Sequence, residues 1–401
     1  MKIGCLTPTR GDRQKFIEQA KKLMSEQTLQ PDVWEIVDDK PLNNEVDITY
    51  RFRIGFERLK AKGVDVVIII EDDDYICPKY IETMVNAWVQ RGKPDIFGLN
   101  NTIYYNVITN KYTFLKHDGR SSMMSTVLNI NAKIEWGQDN YAYTDMVIWK
   151  QLKGVAVDLG FLNMGIKHGI GMCGGGGHQL DWARYDKSDN DKSFLRTSTG
   201  NHFNFYAGVK YDISKVGNEN PFLTIVTRKY KRPNGFNKNQ QSVKALKSDK
   251  WEQIFIHDKV GYGMLEANRN FEYVSHLIKG EYVFLLDDDD FVVNENMISE
   301  LEQIAQLHKP DVICFKMLIH NNQNCDYPTL NCWGKQPIAG SIGGSCFVVS
   351  KDVYQRFIKH FGKYPMGDFN FINEVFKYDI KVYWYDKRMS ETGKVSRGGV
   401  E

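Results

Sequence analysis

Two apolar runs in the sequence each end in four consecutive acidic residues. Residues 282–286 precede four aspartates at 287–290, and the β-branched residues 66–70 precede a glutamate and three aspartates at 71–74. Each run is too short to cross a membrane and too apolar for a surface, so it predicts a buried parallel strand. Open α/β sheets place their ligands at the carboxyl ends of such strands. Adjacent carboxylates repel one another unless a cation lies among them, so each cluster predicts a cation site, and two copies predict two related domains.

The length and composition fit two globular domains. The chain has 401 residues, of which 42% are hydrophobic and 25% charged, so it can bury two cores and leaves little room for extended disorder. A formal net charge of +2 excludes a strongly basic nucleic-acid-binding surface, although a local basic patch is compatible with it. No apolar run approaches the roughly 20 residues of a spanning helix, and no signal peptide is recognised, so we expect a cytoplasmic protein without a transmembrane segment.

The seven cysteines are an odd set without the paired spacing of a zinc site. Reduced thiols are therefore expected, with a disulfide between Cys325 and Cys332 as the alternative.

Hydrophobic periodicity predicts alternating strands and helices in the first half. Strands are expected at 2–7, 32–37, 66–70 and 94–99, helices at 13–27, 50–62, 78–90 and 144–152, and a hairpin at 104–117 with its turn at Asn110-Lys111. This alternation is typical of a doubly wound α/β domain. The glycine-rich residues 172–178 are interpreted either as a mobile lid over the site or as a plain connector.

The second half repeats this order of elements. Strands are expected at 222–227, 251–257, 282–286 and 311–315, helices at 265–278, 295–307 and 368–377, and a glycine-rich approach to a further strand at 340–350. A polar stretch before Pro221 predicts the boundary, which divides the chain into domains at 1–216 and 217–401.

With these features, the chain resembles the inverting, family-2-like nucleotide-sugar glycosyltransferases of the GT-A fold. The resemblance rests on Leu6-Thr-Pro-Thr-Arg10, on a second strand that ends in Asp38-Asp39, on the acidic cluster after the third strand, and on a later aspartate that opens a helix. It covers nearly the whole chain. It implies an α/β protein made of two tandem GT-A domains, each with a Rossmann-like, doubly wound and mostly parallel sheet.

The resemblance also implies a divalent ion and a set of site residues. Mn²⁺ or Mg²⁺ would neutralise the leaving nucleoside diphosphate, and carboxylates suit these hard ions. The expected metal ligands are Asp73, Asp74 and His168 in the first domain and Asp287, Asp289 and Glu391 in the second. The donor-binding residues would be Thr7, Asp39, Arg53 and Asp72, with Thr227, Asp258, Arg269 and Asp288 in the second domain.

Asp145 and Asp368 match the general base of the family. In an inverting transfer, such a carboxylate takes the proton of the acceptor hydroxyl as it attacks the anomeric carbon. The alternative is that each residue only caps its helix, an interaction worth about 1 kcal/mol. For His168 the alternative is a hydrogen-bonded loop histidine, and for Arg53 and Arg269 it is a charge on a helix surface.

Together these features predict a metal-dependent glycosyltransferase that uses a nucleotide-sugar donor, with UDP as the expected nucleotide, in one or two successive inverting transfers. A glycan, a protein or hydroxymethylated phage DNA are the acceptors considered. Sugar-phosphate nucleotidyltransferases are one alternative, but residues 6–10 lack their glycine-rich loop. The other alternative is a nucleotide- or carbohydrate-binding protein in which one or both domains are inactive.

Overall fold

The computed structural model describes residues 1–10, 13–39, 46–170, 184–320, 324–363 and 366–393. The chain divides into two compact units, Met1–Lys210 (unit 1) and Tyr211–Glu401 (unit 2). The division lies before the expected boundary at residue 216 because Asp212–Gly217 is a strand that pairs within unit 2. The glycine-rich residues 172–178 lie outside the described ranges.

Unit 1 begins with alternating strands and helices, and further along the chain several strands follow one another before the next helix. Its strands are β1 (Ile3–Pro8), β2 (Val33–Val37), β3 (Val66–Ile69), β4 (Tyr75–Ile76), β5 (Ile96–Leu99), β6 (Asn101–Asn106), β7 (Lys111–Lys116), β8 (Thr126–Asn129), β9 (Gly154–Val157), β10 (Asn163–Lys167) and β11 (Lys187–Ser188). Its helices are α1 (Gln14–Ser25), α2 (Ile48–Ala61), α3 (Tyr80–Gln90), α4 (Thr144–Gln151), α5 (Ser193–Thr199) and α6 (Phe203–Gly208).

The main sheet of unit 1 has the strand order β2-β1-β3-β8-β5-β9. β1 and β3 lie inside this sheet, which explains why both are buried throughout. Helix α2 covers the sheet with Phe52, Phe56 and Leu59, which recur at helical spacing. Gly55 stands at the closest approach, where an added Cβ would lie 2.1 Å from the Leu6 Cδ1. A second sheet, ordered β11-β7-β6-β10-β4, contains the predicted hairpin as β6 and β7.

Unit 2 contains a longer sheet and five helices in its described residues. Its strands are β12 (Asp212–Gly217), β13 (Leu223–Lys229), β14 (Trp251–His257), β15 (Tyr282–Leu285), β16 (Asp290–Val292), β17 (Val312–Ile319), β18 (Cys325–Tyr327), β19 (Phe347–Ser350) and β20 (Val382–Thr392). Its helices are α7 (Pro233–Lys244), α8 (Met264–Tyr273), α9 (Met297–His308), α10 (Lys351–Phe357) and α11 (Gly367–Val375). Neither Cys325 nor Cys332 is in a disulfide, so the alternative pairing is not formed.

The two units share one strand topology. The central strands of unit 2 follow the order β14-β13-β15-β19-β17-β20, which repeats the order in unit 1 position by position. The directions also agree, because β8 and β19 are antiparallel to both of their neighbours while the other central pairs are parallel. The architecture is therefore a mixed α/β one with a repeated topology, and each main sheet contains an antiparallel strand.

The described part of the chain contains no helix with the length and apolar character that crossing a bilayer requires.

Candidate functional site

The acidic residues of unit 1 lie in the turn between β3 and β4, beside the carboxyl end of β1. β1 and β3 are parallel neighbours, so the residues that follow β1 reach the acidic turn. Thr9 Oγ1 donates a hydrogen bond to Asp72 Oδ2 at 2.6 Å. Arg13, which immediately precedes α1, donates from Nε to the same oxygen at 2.9 Å and from its terminal nitrogen to Asp73 Oδ2 at 2.6 Å. The guanidinium thus bridges two carboxylates.

Strand β10 brings His168 to the same cluster because it pairs with β4 directly after the acidic turn. His168 Nε2 lies 2.9 Å from Asp73 Oδ2, and its side chain is fully buried. The predicted neighbourhood of His168 and Asp73 is therefore present. Burial lowers the pKa of His168, and the hydrogen bond to Asp73 only partly opposes this effect. A neutral imidazole, the form that binds metals, is favoured.

Asp74 provides the observation that bears most directly on a metal ion. Its Oδ1 accepts a hydrogen bond from the Ile166 amide at 2.8 Å, whereas its Oδ2 is buried without a hydrogen-bond partner among the described residues. An unpaired buried carboxylate oxygen is costly unless a cation or a donor reaches it. Glu71, Asp73 and Asp74 each offer one oxygen, and these atoms lie within 4.8 Å of one another. This donor set fits a hard divalent cation.

The protonation of the cluster follows from burial and mutual repulsion. Burial, together with the charge of Asp73, raises the pKa of Asp72 and of Asp74 to about 7. Burial acts on Asp73 in the same direction, but the charge of Arg13 and the His168 hydrogen bond prevail and hold its pKa below the usual range. Burial and the neighbouring aspartates raise the pKa of Glu71. A divalent cation would favour the ionised form of all four groups.

A cavity of about 330 Å³ adjoins these residues, and the predicted base Asp145 also lines it. Glu71, Asp72, Asp73 and Asp145 all line it. Asp145 lies in the first turn of α4, and its Oδ2 accepts a hydrogen bond from Arg120 at 2.7 Å. Burial raises the pKa of Asp145, and the charge of Arg120 opposes the rise. The residue before the helix is Tyr143, so Asp145 is not the capping residue.

Several cations that were not predicted as site residues line the cavity as well. They are Arg10, Arg13, Arg51, Arg120, Lys167 and Arg184. Lys167 is buried, and its Nζ lies 5.0 Å from the ring centroid of Tyr104. Arg51 is fully buried and pairs with Asp47 at 2.7 Å. Such cations suit an anionic ligand.

The donor-binding residues predicted besides Asp72 lie elsewhere in unit 1. Thr7, Asp39 and Arg53 are not among the described residues that line the cavity. The Thr7 hydroxyl accepts from Trp34 Nε1 at 2.9 Å, and Asp39 Oδ2 accepts from Arg58 at 2.7 Å. Arg53 instead pairs with Asp139 at 2.8 Å on the surface of the unit. Arg51, two residues earlier in the same helix, lines the cavity. The ion pair of Arg53 agrees with the alternative of a charge on a helix surface.

In unit 2 the four aspartates after β15 all have protein partners. Arg228 makes a bidentate pair with Asp287 at 2.7 Å, and Arg232 bridges Asp288 and Asp289 at 3.1 and 2.8 Å. Ser345 Oγ donates to Asp290 at 2.5 Å. Guanidinium groups thus offset the charges of Asp287, Asp288 and Asp289, whereas Asp290 has a hydroxyl partner. Burial still raises the pKa of Asp288 to about 6.

The strand registers correct the position of Glu391. Tyr75 and Phe291 are the residues that directly follow the two acidic clusters. Met164 pairs with Tyr75 in unit 1, and Glu391 pairs with Phe291 in unit 2. Glu391 therefore corresponds in register to Met164 and not to His168. Counting from the helix aspartates had suggested otherwise because the segments between helix and strand differ in length.

Two hydrogen bonds support this register. Asn163 Nδ2 donates to the carbonyl of Met124, and its counterpart Ser390 donates from Oγ to the carbonyl of Ser345. Each acceptor lies in the short 3₁₀ turn before the antiparallel central strand. The partner of Glu391 is His320, whose Nε2 lies 3.4 Å from Glu391 Oε2 and which was not predicted as a site residue.

The remaining predicted residues of unit 2 also have local partners. Asp258 accepts from the amides of Val260, Gly261 and Tyr262, and Thr227 Oγ1 accepts from Gln253 at 2.9 Å. Arg269 pairs with Glu266 at 2.8 Å. Asp368 lies in the first turn of α11 and accepts from the Phe369 amide at 2.9 Å.

Comparisons with known proteins give only coarse similarity. No protein-family model matches the sequence, and no curated protein matches it. Among solved structures, the chain is similar to S. aureus TarS 1-349 with a TM-score of 0.33 and 11% identity, over 43% of this chain and 60% of that one. The TarS 1-349 complex with UDP-GlcNAc gives a TM-score of 0.30 at 10% identity, over 43% and 59% of the two chains.

The structure of A197 from STIV gives a TM-score of 0.27 at 12% identity, over 39% of this chain and 82% of that one. The chain thus spans less than two thirds of the TarS chains that it matches. At these TM-scores the likeness carries no conclusion about activity, so any function must be inferred from the geometry and charge of the site itself.

Proposed function

We propose that unit 1 is a metal-dependent glycosyltransferase that moves a sugar from a nucleotide donor, with UDP as the expected nucleotide, to an acceptor hydroxyl with inversion. One observation carries this proposal. Asp145, a partly desolvated carboxylate, shares a cavity of about 330 Å³ with the acidic residues Glu71, Asp72 and Asp73. A base and a cation-binding cluster facing one cavity are what displacement of a nucleoside diphosphate requires.

The donor diphosphate would lie against the acidic cluster and the cations around it. Glu71, Asp73 and Asp74 would hold Mn²⁺ or Mg²⁺, with His168 behind Asp73, and the bound ion would offset the charge of the departing diphosphate. Lys167 and Arg13 line the same wall and provide donors for phosphate oxygens. Asp72, with a pKa near 7, is the residue that we assign to the ribose hydroxyls.

The transfer itself is a single displacement. The acceptor oxygen forms a bond to the anomeric carbon while the bond from that carbon to the phosphate oxygen breaks, and Asp145 takes the proton of the acceptor hydroxyl. The electron pair leaves with the nucleoside diphosphate. Arg120, 2.7 Å from Asp145, favours the ionised form of the base and so opposes the effect of burial, which raises the pKa of Asp145. Inversion follows because the base and the leaving group act on opposite faces of the sugar.

For unit 2 we propose descent from the same GT-A domain, because the order and directions of six central strands repeat. Two successive transfers remain one form of the proposal. One observation favours the alternative, in which unit 2 binds a nucleotide or a carbohydrate without transfer: all four aspartates already have partners within the unit. The acceptor is proposed by class only, as a glycan, a protein or hydroxymethylated DNA.

The experiment that tests the proposal is a panel of UDP-sugars, incubated with the whole chain and Mn²⁺, with released UDP as the readout. Water serves as the acceptor when no other is supplied. The released sugar is then observed by proton NMR at early times. The proposal expects metal-dependent release and a sugar whose anomeric configuration is opposite to that of the donor. Retention of configuration would contradict the assignment of Asp145, and release of inorganic pyrophosphate from a sugar phosphate and UTP would favour nucleotidyl transfer.

A further inference from the structure

The same arginine contact occurs in both units. Arg13 immediately precedes α1, and Arg232 immediately precedes α7, the first helix of unit 2. Each guanidinium bridges the second and third residues of its acidic cluster: Arg13 lies 2.9 Å from Asp72 and 2.6 Å from Asp73, and Arg232 lies 3.1 and 2.8 Å from Asp288 and Asp289. Because the contact recurs in two units with the same topology, it is a feature of the site and not an accident of one surface.

In unit 1 the guanidinium of Arg13 is hydrogen-bonded to a carboxylate oxygen that could otherwise coordinate a metal ion. Asp73 is one of the three residues whose oxygens lie close enough to share an ion, and Arg13 already holds its Oδ2. The Arg13 side chain is only 12% exposed, so its charge is weakly screened. Asp74 Oδ2, in contrast, is buried without a partner among the described residues. The cluster is thus partly neutralised and partly open.

We propose that Arg13 is an exchangeable counter-cation. It holds Asp72 and Asp73 while the donor site is empty, and it releases Asp73 when a divalent ion enters together with the nucleoside diphosphate, to which it then donates. This inference rests on the proposed function of unit 1. A guanidinium suits both roles, because its planar fork matches carboxylate and phosphate oxygens equally well. The exchange leaves the number of charge-assisted hydrogen bonds unchanged.

The exchange makes metal and nucleotide binding cooperative. A metal ion that enters alone must separate Arg13 from Asp73, which leaves a buried guanidinium N–H without an acceptor while the contact with Asp72 is kept, so the ion binds weakly. A metal ion that enters with a diphosphate provides Arg13 with new acceptors, so it binds more tightly. The coupling is reciprocal, and the metal must strengthen nucleotide binding by the same factor. The site would thereby remain closed to metal until a donor is present.

The test measures Mn²⁺ binding by the electron paramagnetic resonance of free Mn²⁺, with and without UDP, so it needs no turnover. For the wild-type chain, UDP should tighten Mn²⁺ binding at least tenfold. Arg13→Gln, which keeps a planar donor but removes the charge, should bind Mn²⁺ alone at least tenfold more tightly than the wild type and lose most of the UDP effect. Arg91→Gln, outside the cavity, is the matched control and should behave as the wild type.

Two further variants locate the effect and guard against misfolding. Adding Asp74→Asn to Arg13→Gln should remove the tight Mn²⁺ site, which would place it in unit 1. Arg13→Lys keeps the charge without the fork, so it should leave the affinity for Mn²⁺ alone near the wild-type value and reduce the UDP effect. If Arg13→Gln is folded by circular dichroism yet binds Mn²⁺ no more tightly than the wild type, Arg13 is a fixed structural ion pair and the inference is wrong. Should Arg13→Gln not fold, an Arg13→Lys variant with an undiminished UDP effect would overturn it.

The outcome separates this inference from the proposed function. Metal-dependent UDP release by the wild type, combined with unchanged Mn²⁺ affinity in Arg13→Gln, would refute the exchange and leave the transferase proposal standing. Gained Mn²⁺ affinity in Arg13→Gln, without turnover of any UDP-sugar, would support the exchange and count against the transferase. Absence of Mn²⁺ binding to both proteins would refute both.

Discussion

Replacing Asp145 by Asn tests the proposed base with little disturbance of the fold. The amide keeps an oxygen that can accept the Arg120 hydrogen bond, which is 2.7 Å long, and Arg120 is about one third exposed, so the lost ion pair should cost at most about 1 kcal/mol of stability. A general base typically contributes 10²–10⁴ in rate, or about 3–5 kcal/mol of transition-state free energy. We expect kcat for Mn²⁺-dependent UDP-sugar hydrolysis to fall by that factor, while the Kd of UDP stays within about twofold.

The pH dependence of the rate sharpens this prediction. The base must be ionised, so activity is lost as pH falls through the pKa of Asp145, which burial has raised above its usual value. Arg120 opposes that rise. Arg120→Gln should therefore raise the pKa further and move the acidic limb of the kcat profile to higher pH, with recovery at alkaline pH.

The assay is UDP release followed from pH 4 to 9 for the wild type, Asp145→Asn and Arg120→Gln. Asp139→Asn is the control, because Asp139 forms its ion pair with Arg53 outside the cavity. The reasoning would be refuted if Asp145→Asn kept more than about a tenth of the wild-type kcat, or if the acidic limb of Arg120→Gln stayed in place.

Three further predictions concern metal binding, acid stability and packing. Asp74→Asn should weaken Mn²⁺ binding in the presence of UDP by at least about tenfold, measured by calorimetry, because it removes the carboxylate whose Oδ2 is buried without a described partner; unchanged affinity would exclude Asp74 as a ligand. Burial and Arg120 lower the pKa of His117 from 6.5 to about 4, so its stabilising contribution, present above pH 6.5, is lost as pH falls towards 4. Relative to His117→Gln, the wild type should lose up to roughly 2 kcal/mol over that range in urea titrations, after allowance for solvent screening, and parallel curves would contradict this. Gly55→Ala would normally favour a helix, but its Cβ would lie 2.1 Å from Leu6 Cδ1, so we expect a loss of about 1–3 kcal/mol in thermal unfolding, and a gain in Tm would show that the contact relaxes freely.

The parts of the fold that sequence patterns predicted are those with strong local signals. The apolar runs before the two acidic clusters are β3 and β15, and Trp251–His257 forms a strand with the predicted bounds. The equally short strands β8 and β9 were missed because neither precedes an acidic cluster or carries a run as apolar as that of β3, and their pairing is set by distant neighbours. The antiparallel direction of β8 could not be predicted from local sequence patterns either, because it depends on where the chain returns to the sheet.

The sequence predicts which residues line the cavity where they directly follow a strand. It does not do so where the residue that lines the cavity depends on which face of a helix points there. Asp72 and Asp73, which follow a strand, line the cavity, and their roles stay predictions. Arg53 was predicted and Arg51 was not. Arg51, Gly55 and Leu59 recur every four residues and so share one buried helical face, and this spacing could have pointed to Arg51. Arg13 carried no such signal, because it lies in a turn where only the charge is visible in the sequence. Glu391 was misplaced because residue counting assumes equal loop lengths, whereas strand register does not.

The acidic clusters of the two units differ in whether their carboxylates already have partners within the unit. In unit 1 a buried carboxylate oxygen of Asp74 has no described partner, whereas its counterpart Asp290 accepts from Ser345. Arg228 also pairs with Asp287 in unit 2, while in unit 1 the counterpart Glu71 is one of the three residues that can share an ion. This difference is the reason why the proposal gives metal-dependent transfer to unit 1.

The measurement that tests this central claim most directly is Mn²⁺-dependent UDP release by Asp73→Asn and Asp289→Asn, each in the whole chain beside the wild type. The two aspartates occupy equivalent positions, and each contacts the arginine that precedes the first helix of its unit. The account predicts that Asp73→Asn abolishes release and that Asp289→Asn retains at least half of it. Release that survives Asp73→Asn, or that is lost only in Asp289→Asn, would contradict the assignment and place the working site in unit 2.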